Sequence, residues 1–166
     1  MIIDYYQTIE ELGIKGRKNT PEEFEKIGLP KDLKGQDVLD VGCNMGAFLV
    51  EAKKRGADLI TGVEPNQDWR LLAEGVLTEL YPDGEWTIHQ DIKDVVNNYD
   101  LVLLLSVLHV CREPQKVLDG AWNKTRRLLI VEINDRLQTE QVKLPECGVL
   151  IGKNKDNRSV WHFRKL

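Results

Sequence analysis

Apolar positions recur along this chain in two alternating periods. Val38 to Val41 is a short apolar run broken by one acid, Asp40. After it, Ala47 to Arg55 (AFLVEAKKR) carries apolar side chains at helical spacing and stops at Gly56. Asp58 to Glu64 reads as a second strand. The segment from Pro65-Asn66 to about Leu80 reads as a helix capped by Asn66 or Asp68, with Leu71, Leu72, Val76 and Leu80 on one face. Pro82-Asp83-Gly84 is a turn, and Glu85 to Gln90 alternates as a third strand does. Tyr99 to His109 is the strongest apolar run and predicts a central strand buried on both faces. A helix from Glu113-Pro114 to about Asn123 and a fifth strand from Arg126 to Ile133 follow. Gly148 to Lys153 and Ser159 to Arg164 predict a hairpin joined by NKDNR. Strands alternating with helices imply a doubly wound α/β sheet, mostly parallel.

Residues 1–35 stand apart as an N-terminal extension rather than a separate domain, leaving 36–166 as the Rossmann-like domain. The extension opens apolar and aromatic (Ile2, Ile3, Tyr5, Tyr6, Ile9) and turns basic at Lys15, Arg17 and Lys18. Thr20-Pro21-Glu22-Glu23 has the form of an N-cap, a proline at N1 and an acid at N3. It predicts a helix to about Ile27, stopped by Gly28 and Pro30. Residues 136–147 leave room only for a short helix or loop.

The length, 166 residues, fits one domain, which at this size buries about 70% of its unfolded surface. A formal net charge of −4 gives no overall basic excess that would favour nucleic acid. The apolar run Leu101 to Leu105 is too short to span a bilayer, and MIIDYYQTIEE has no secretory pattern. Cys43, Cys111 and Cys147 have no paired spacing and read as free thiols in a reducing compartment, which makes the cytoplasm the expected location. The three histidines and three cysteines are dispersed, so no metal site is expected.

Chemistry concentrates where the first strand meets its helix. Gly42 and Gly46 bracket a tight turn, and neither has a Cβ to keep a ligand away. A dinucleotide-binding turn has the form G-x-G-x-x-G, with pyrophosphate on the helix N-terminus. Here Gly42-Cys43-Asn44-Met45-Gly46 lacks the middle glycine, and Asp40 would repel a diphosphate. That carboxylate suits a ligand carrying an ammonium or sulfonium. Glu64 ends the second strand about two dozen residues on, the place where an acid accepts both ribose hydroxyls of a bound nucleoside.

VLDVGCNMGAF resembles the first motif of the class I S-adenosylmethionine-dependent methyltransferase family. Similar matches, DLVLLLSVLH to the fourth-strand motif and YQTI with LPKDLKG to the lead-in of some members, extend the resemblance. It implies seven strands in the order 3-2-1-4-5-7-6, the last one antiparallel, and S-adenosyl-L-methionine as cofactor, leaving S-adenosyl-L-homocysteine. By resemblance, Asp40 lies by the methionine end of the cofactor, and Gly42, Cys43, Asn44 and Gly46 wrap it. Glu64 and Pro65 take the ribose, Asp91 and Ile92 the adenine, and Leu105 closes the site. Ser106 and His109, just past the fourth strand, become candidate catalytic residues. His109 is the candidate base, since imidazole titrates near neutrality. Tyr5 and Tyr6 of the lead-in and Lys153 and Arg158 of the hairpin become candidate substrate contacts, with Lys155 beside them; cations there favour an anionic group.

The expected activity is therefore methyl transfer to an oxygen or nitrogen acceptor. A small-molecule acceptor is preferred to nucleic acid on charge and size, with a tRNA base left open. Two other functions compete: a nucleotide-dependent oxidoreductase, which the glycine pattern opposes, and a cofactor-binding module without transfer activity. Oligomeric state is left open.

Overall fold

The computed structural model describes residues 5–134, 137, 141–154 and 157–165. Seven strands form one sheet: β1 Val38–Val41, β2 Ile60–Val63, β3 Trp86–His89, β4 Tyr99–Leu105, β5 Thr125–Ile133, β6 Gly148–Lys153 and β7 Ser159–Arg164. Among the elements described are the helices α1 Thr20–Lys26, α2 Ala47–Lys54, α3 Gln67–Leu80 and α4 Pro114–Lys124. The strand order is β3-β2-β1-β4-β5-β7-β6, as the methyltransferase resemblance implies. β1 to β5 run parallel, while β7 is antiparallel to both β5 and β6.

The apolar runs are continuous because both sheet faces are covered. Val38, Ile60, Leu101, Leu103 and Ile130 pack into one buried layer with Leu49 and Val50 of α2. Their neighbours in sequence, Leu39, Val102, Leu104, Leu129 and Val131, face the other layer with Leu118 and Ala121 of α4. Successive strand side chains point to opposite faces, so each residue of such a strand finds a core. Each buried Leu or Ile contributes about 1.5–3 kcal/mol over leaving it exposed. β6 is the sheet edge and shows the contrast, with Val149, Leu150 and Ile151 all exposed.

Two expectations need correction. β4 stops at Leu105, four residues before His109, because Ser106 takes a left-handed backbone (φ 57°) that no strand continues through. A 3₁₀ turn over Leu108–Val110 follows and carries His109. In α1, Thr20 is the first helical residue and Asn19 holds the cap position without a side-chain capping bond. The Thr20 hydroxyl instead accepts the Thr8 N–H (3.0 Å) and so ties the preceding segment to the helix. Ile2, Ile3 and Lys155 lie outside the described residues.

Residues 5–19 form a strap. It doubles back through single bridges, Gln7 with Lys18 and Ile9 with Ile14, around a 3₁₀ turn at Glu10–Leu12. At the crossing a Cβ on Gly16 would stand 2.2 Å from the Gln7 carbonyl oxygen, so only glycine fits. The strap is pinned to α2: Gln7, buried, accepts the Ala47 N–H through Oε1 (3.2 Å).

Candidate active site

A cleft of about 560 Å³ opens at the carboxyl ends of β1, β2, β4 and β5, with the strap as one wall. Its floor is the turn after β1. Gly42 (φ 84°) and Cys43 both donate their N–H to the Val63 carbonyl, at 2.7 and 3.1 Å. This fastens the turn to the end of β2. A Cβ on Gly42 would stand 2.2 Å from Cγ2 of Val107, so the turn closes against the segment after β4 only because no side chain intervenes.

Asp40 and Glu64 reach this floor from adjacent strands, and their surroundings differ. Glu64 is held at both oxygens: Oε2 accepts from the Asn44 N–H and Oε1 from the Asn66 N–H, each 2.9 Å. Asp40 is 3% exposed, and no described residue bonds its Oδ2. Burial, with the Glu64 charge adding to it, pushes the Asp40 carboxyl up to about 7. Asn44 Oδ1, close by on the turn, is likewise buried and unbonded among the described residues. Unbonded buried acceptors are costly, so this corner is built for a partner that donates hydrogen bonds or carries positive charge.

Most expected site residues converge here. Asp40, Gly42, Asn44, Glu64, Pro65, Leu105, Ser106 and His109 all line the cleft, as does Tyr6 from the strap. Gly46 (φ 86°) caps the start of α2 and is not among the lining residues. Cys43, also expected, is not among the lining residues; its thiol is buried against Gly62, and burial raises its pKa well above the usual thiol range. Tyr5 packs against the buried layer below the strap.

Asp91 and Ile92 are not among the cleft-lining residues. Asp91 caps its own 3₁₀ turn, accepting the Lys93 N–H (3.0 Å) and pairing with the Lys93 ammonium (3.1 Å). Ile92 packs on the α4 side, against Gly120. Lys153 is exposed at the end of β6 and does not line the cleft. Arg158 reaches the sheet's carboxyl edge, but its Nη1 donates to Ser106 Oγ and, at 3.2 Å, to Glu132 Oε1. A neutralised guanidinium is not the anion site that the hairpin's charges suggest.

Sequence spacing does not single out Glu132, which lines the cleft, although it is an acid inside an apolar strand, as Asp40 is. It is 2% exposed and accepts the Ser106 hydroxyl. Gln7, Arg17 and Lys18 also line the cleft from the strap, with both cations about 6 Å above the Tyr6 ring (6.0 and 5.9 Å). Their signal in the sequence is only a basic stretch. His109 is exposed on the rim, and partial burial, with the Arg158 charge, lowers its pKa.

An open parallel sheet, a glycine turn at its switch point and two acids with no phosphate cradle define a nucleoside-binding α/β enzyme of the methyltransferase type. Residues 17–157 match a family model described as a methyltransferase domain. The chain belongs to the class I S-adenosylmethionine-dependent methyltransferase family. It is 31% identical over 145 residues to a tRNA U34 carboxymethyltransferase of Pseudomonas fluorescens SBW25, covering 84% of this chain and 44% of that protein. Another such protein, from Pseudomonas fluorescens Pf0-1, is 30% identical over 95 residues, covering 55% of this chain and 30% of that one. The chain thus spans less than half the length of these relatives. Among solved structures, the magnesium protoporphyrin IX methyltransferase of Synechocystis PCC 6803 with bound S-adenosylmethionine superposes with TM-score 0.66 at 17% identity, over 88% of this chain and 77% of that one. The bifunctional kinase-methyltransferase WbdD superposes with TM-score 0.74 at 20% identity, over 98% of this chain and 44% of that one. No helix among the described residues is long and apolar enough to cross a membrane.

Proposed function

We propose that this chain transfers a methyl group from S-adenosylmethionine to an oxygen or nitrogen acceptor held under the strap. The observation that carries this is the Asp40 corner: a buried carboxyl oxygen and a buried amide oxygen, both unbonded among the described residues, beside a second acid. S-adenosylmethionine, when bound, supplies a methyl already activated by its sulfonium. Asp40 and Asn44 would hold the cationic methionine end, and Glu64 the ribose, each Glu64 oxygen keeping a lone pair beyond its backbone bond. The chain's own contribution is alignment, which supplies most of the rate in such reactions. His109, whose lowered pKa keeps it neutral near pH 7, would take a proton from the acceptor. The strap residues Tyr6, Gln7 and Lys18 would exclude water and seat the acceptor.

The relatives' activity suggests a finer reading, a carboxymethyl group passed to tRNA. A transferred carboxylate would need a cation facing it in the cleft. Arg17 and Lys18 line the cleft, so such a cation is at hand, Lys18 being shared with Glu23 (3.8 Å). A nucleic-acid acceptor stays open as the second reading, supported by those relatives and by Arg17 on the strap. Labelled S-adenosylmethionine offered separately with bulk tRNA and with a small-metabolite extract tests both. Label entering either pool above a Glu64→Ala control upholds methyl transfer and names the acceptor pool. Label in neither, with S-adenosylhomocysteine still bound tightly, would favour the cofactor-binding module instead.

A further inference from the structure

The geometry points to Glu132 as the residue that selects the acceptor, by taking a hydrogen bond from an N–H, O–H or ammonium on it. This rests on the proposed methyl transfer, because it assigns the acceptor half of the same cleft.

Three polar side chains meet past the ends of β4 and β5. Glu132 lies on β5 opposite Leu105 of β4 and Val160 of β7, so its backbone is fixed between two strands. Its Oε1 takes two bonds, from the Ser106 hydroxyl and from Arg158 Nη1. Its Oε2 takes none from the described residues, and Glu132 lines the cleft. Arg158 Nη1 bridges Ser106 Oγ and Glu132 Oε1. Arg158 is not among the cleft-lining residues, so it acts from behind as a positioning residue.

The hydrogen-bond inventory sets the chemistry. Ser106 gives its one proton to Glu132, so its remaining capacity toward the cleft is to accept. Glu132 Oε1 accepts from both neighbours, so Glu132 acts on this wall as an acceptor. This wall therefore accepts hydrogen bonds and has no proton to give. A carboxylate or phosphate on the acceptor would find no donor on this wall; an amine, amide N–H or hydroxyl would be matched.

A buried ion pair that merely held the fold would not need a strained neighbour. Ser106 sits at φ 57°, a region that costs a residue other than glycine about 1–3 kcal/mol and that clusters at functional sites. That backbone turn is what ends β4 and brings the hydroxyl onto Glu132.

The test uses the full chain saturated with S-adenosylhomocysteine and three probes of one shape: benzylamine, benzyl alcohol and benzoate. Affinities are read from the backbone amide shifts of Ser106 and Ile133. Wild type should bind benzylamine and benzyl alcohol at least about tenfold more tightly than benzoate, the range for a hydrogen bond to a charged group. In Glu132→Gln that preference should fall by about tenfold while S-adenosylhomocysteine binds as before. A merely structural pair would leave the ratio unchanged. Benzoate binding as well as benzylamine to wild type, no probe binding, or an unchanged ratio in Glu132→Gln would each overturn the assignment. The wild-type order stands as a test even if the variant fails to fold. Loss of S-adenosylhomocysteine binding by wild type would instead count against the proposed cofactor site.

Discussion

Replacing Asp40 by asparagine should change how stability depends on pH. In the ligand-free protein the Asp40 carboxyl sits at about 7, raised from 3.8 chiefly by burial. A group raised on folding prefers its protonated form in the folded state. Its contribution is fully present below pH 4 and is lost as pH rises through 7. A shift of about three units at 1.36 kcal/mol each makes that loss about 4 kcal/mol. An asparagine side chain does not titrate, so the variant escapes this loss, although its buried amide costs about 1–3 kcal/mol at every pH. The telling quantity is therefore the difference in melting temperature between variant and wild type as a function of pH. About 2.6 kcal/mol of that loss falls between pH 5 and pH 8, and for a chain of this size 1 kcal/mol moves Tm by about 2–4 °C, so the difference should grow by about 5–10 °C over that range. Thermal melts in a constant-ionic-strength buffer series read it directly. Adding S-adenosylmethionine should reverse the sense for wild type, since a cation beside Asp40 favours the ionised form. Calorimetry near pH 6.5 in buffers of differing ionisation enthalpy should then show proton release. A difference in Tm that stays flat from pH 5 to 8 would refute the reasoning, because Asp40 would then not be the strained group.

Other outcomes follow from the same geometry. Glu64→Ala should weaken S-adenosylhomocysteine by about 1–3 kcal/mol, since it strips the Asn44 and Asn66 amides as well as the ribose of a partner; unchanged affinity in a titration would remove Glu64 from the site. Gly16→Ala drives a Cβ into the Gln7 carbonyl and should release the strap, so limited proteolysis before Thr20 should accelerate and turnover should drop more than cofactor affinity. Equal cleavage rates in variant and wild type would mean that the strap does not depend on that crossing. With the His109 pKa lowered, the acid limb of kcat/KM for the acceptor, read at saturating S-adenosylmethionine, should lie below pH 6.5 and vanish in His109→Ala; a limb that persists in the variant belongs to another group.

Much of the molecule is written locally. The strand–turn–helix at Val38 to Lys54 is legible because periodicity switches from 2 to 3.6 across two glycines, and backbone geometry at a glycine is a property of that residue alone. The acids Asp40 and Glu64 stand out because charge inside or ending an apolar strand is expensive and needs a reason. The hairpin after residue 147 is legible for the same local reasons. What sequence spacing does not reveal is pairing between distant elements. Arg158 reads as a free cation on a loop, yet the fold sets it on Glu132, 26 positions earlier, and thereby cancels the positive charge that this wall would offer. Asp91 follows its strand as the methyltransferase resemblance asks, yet a neighbouring lysine and a 3₁₀ turn take its carboxylate. His109 leaves the strand because Ser106 turns left-handed, a conformation offset by contacts with Glu132 and Arg158 that lie far away in sequence. Periodicity and composition are short-range quantities, so they define elements and single costly charges. Which charges face one another, and which are left for a ligand, is decided only when the sheet brings the strand ends together.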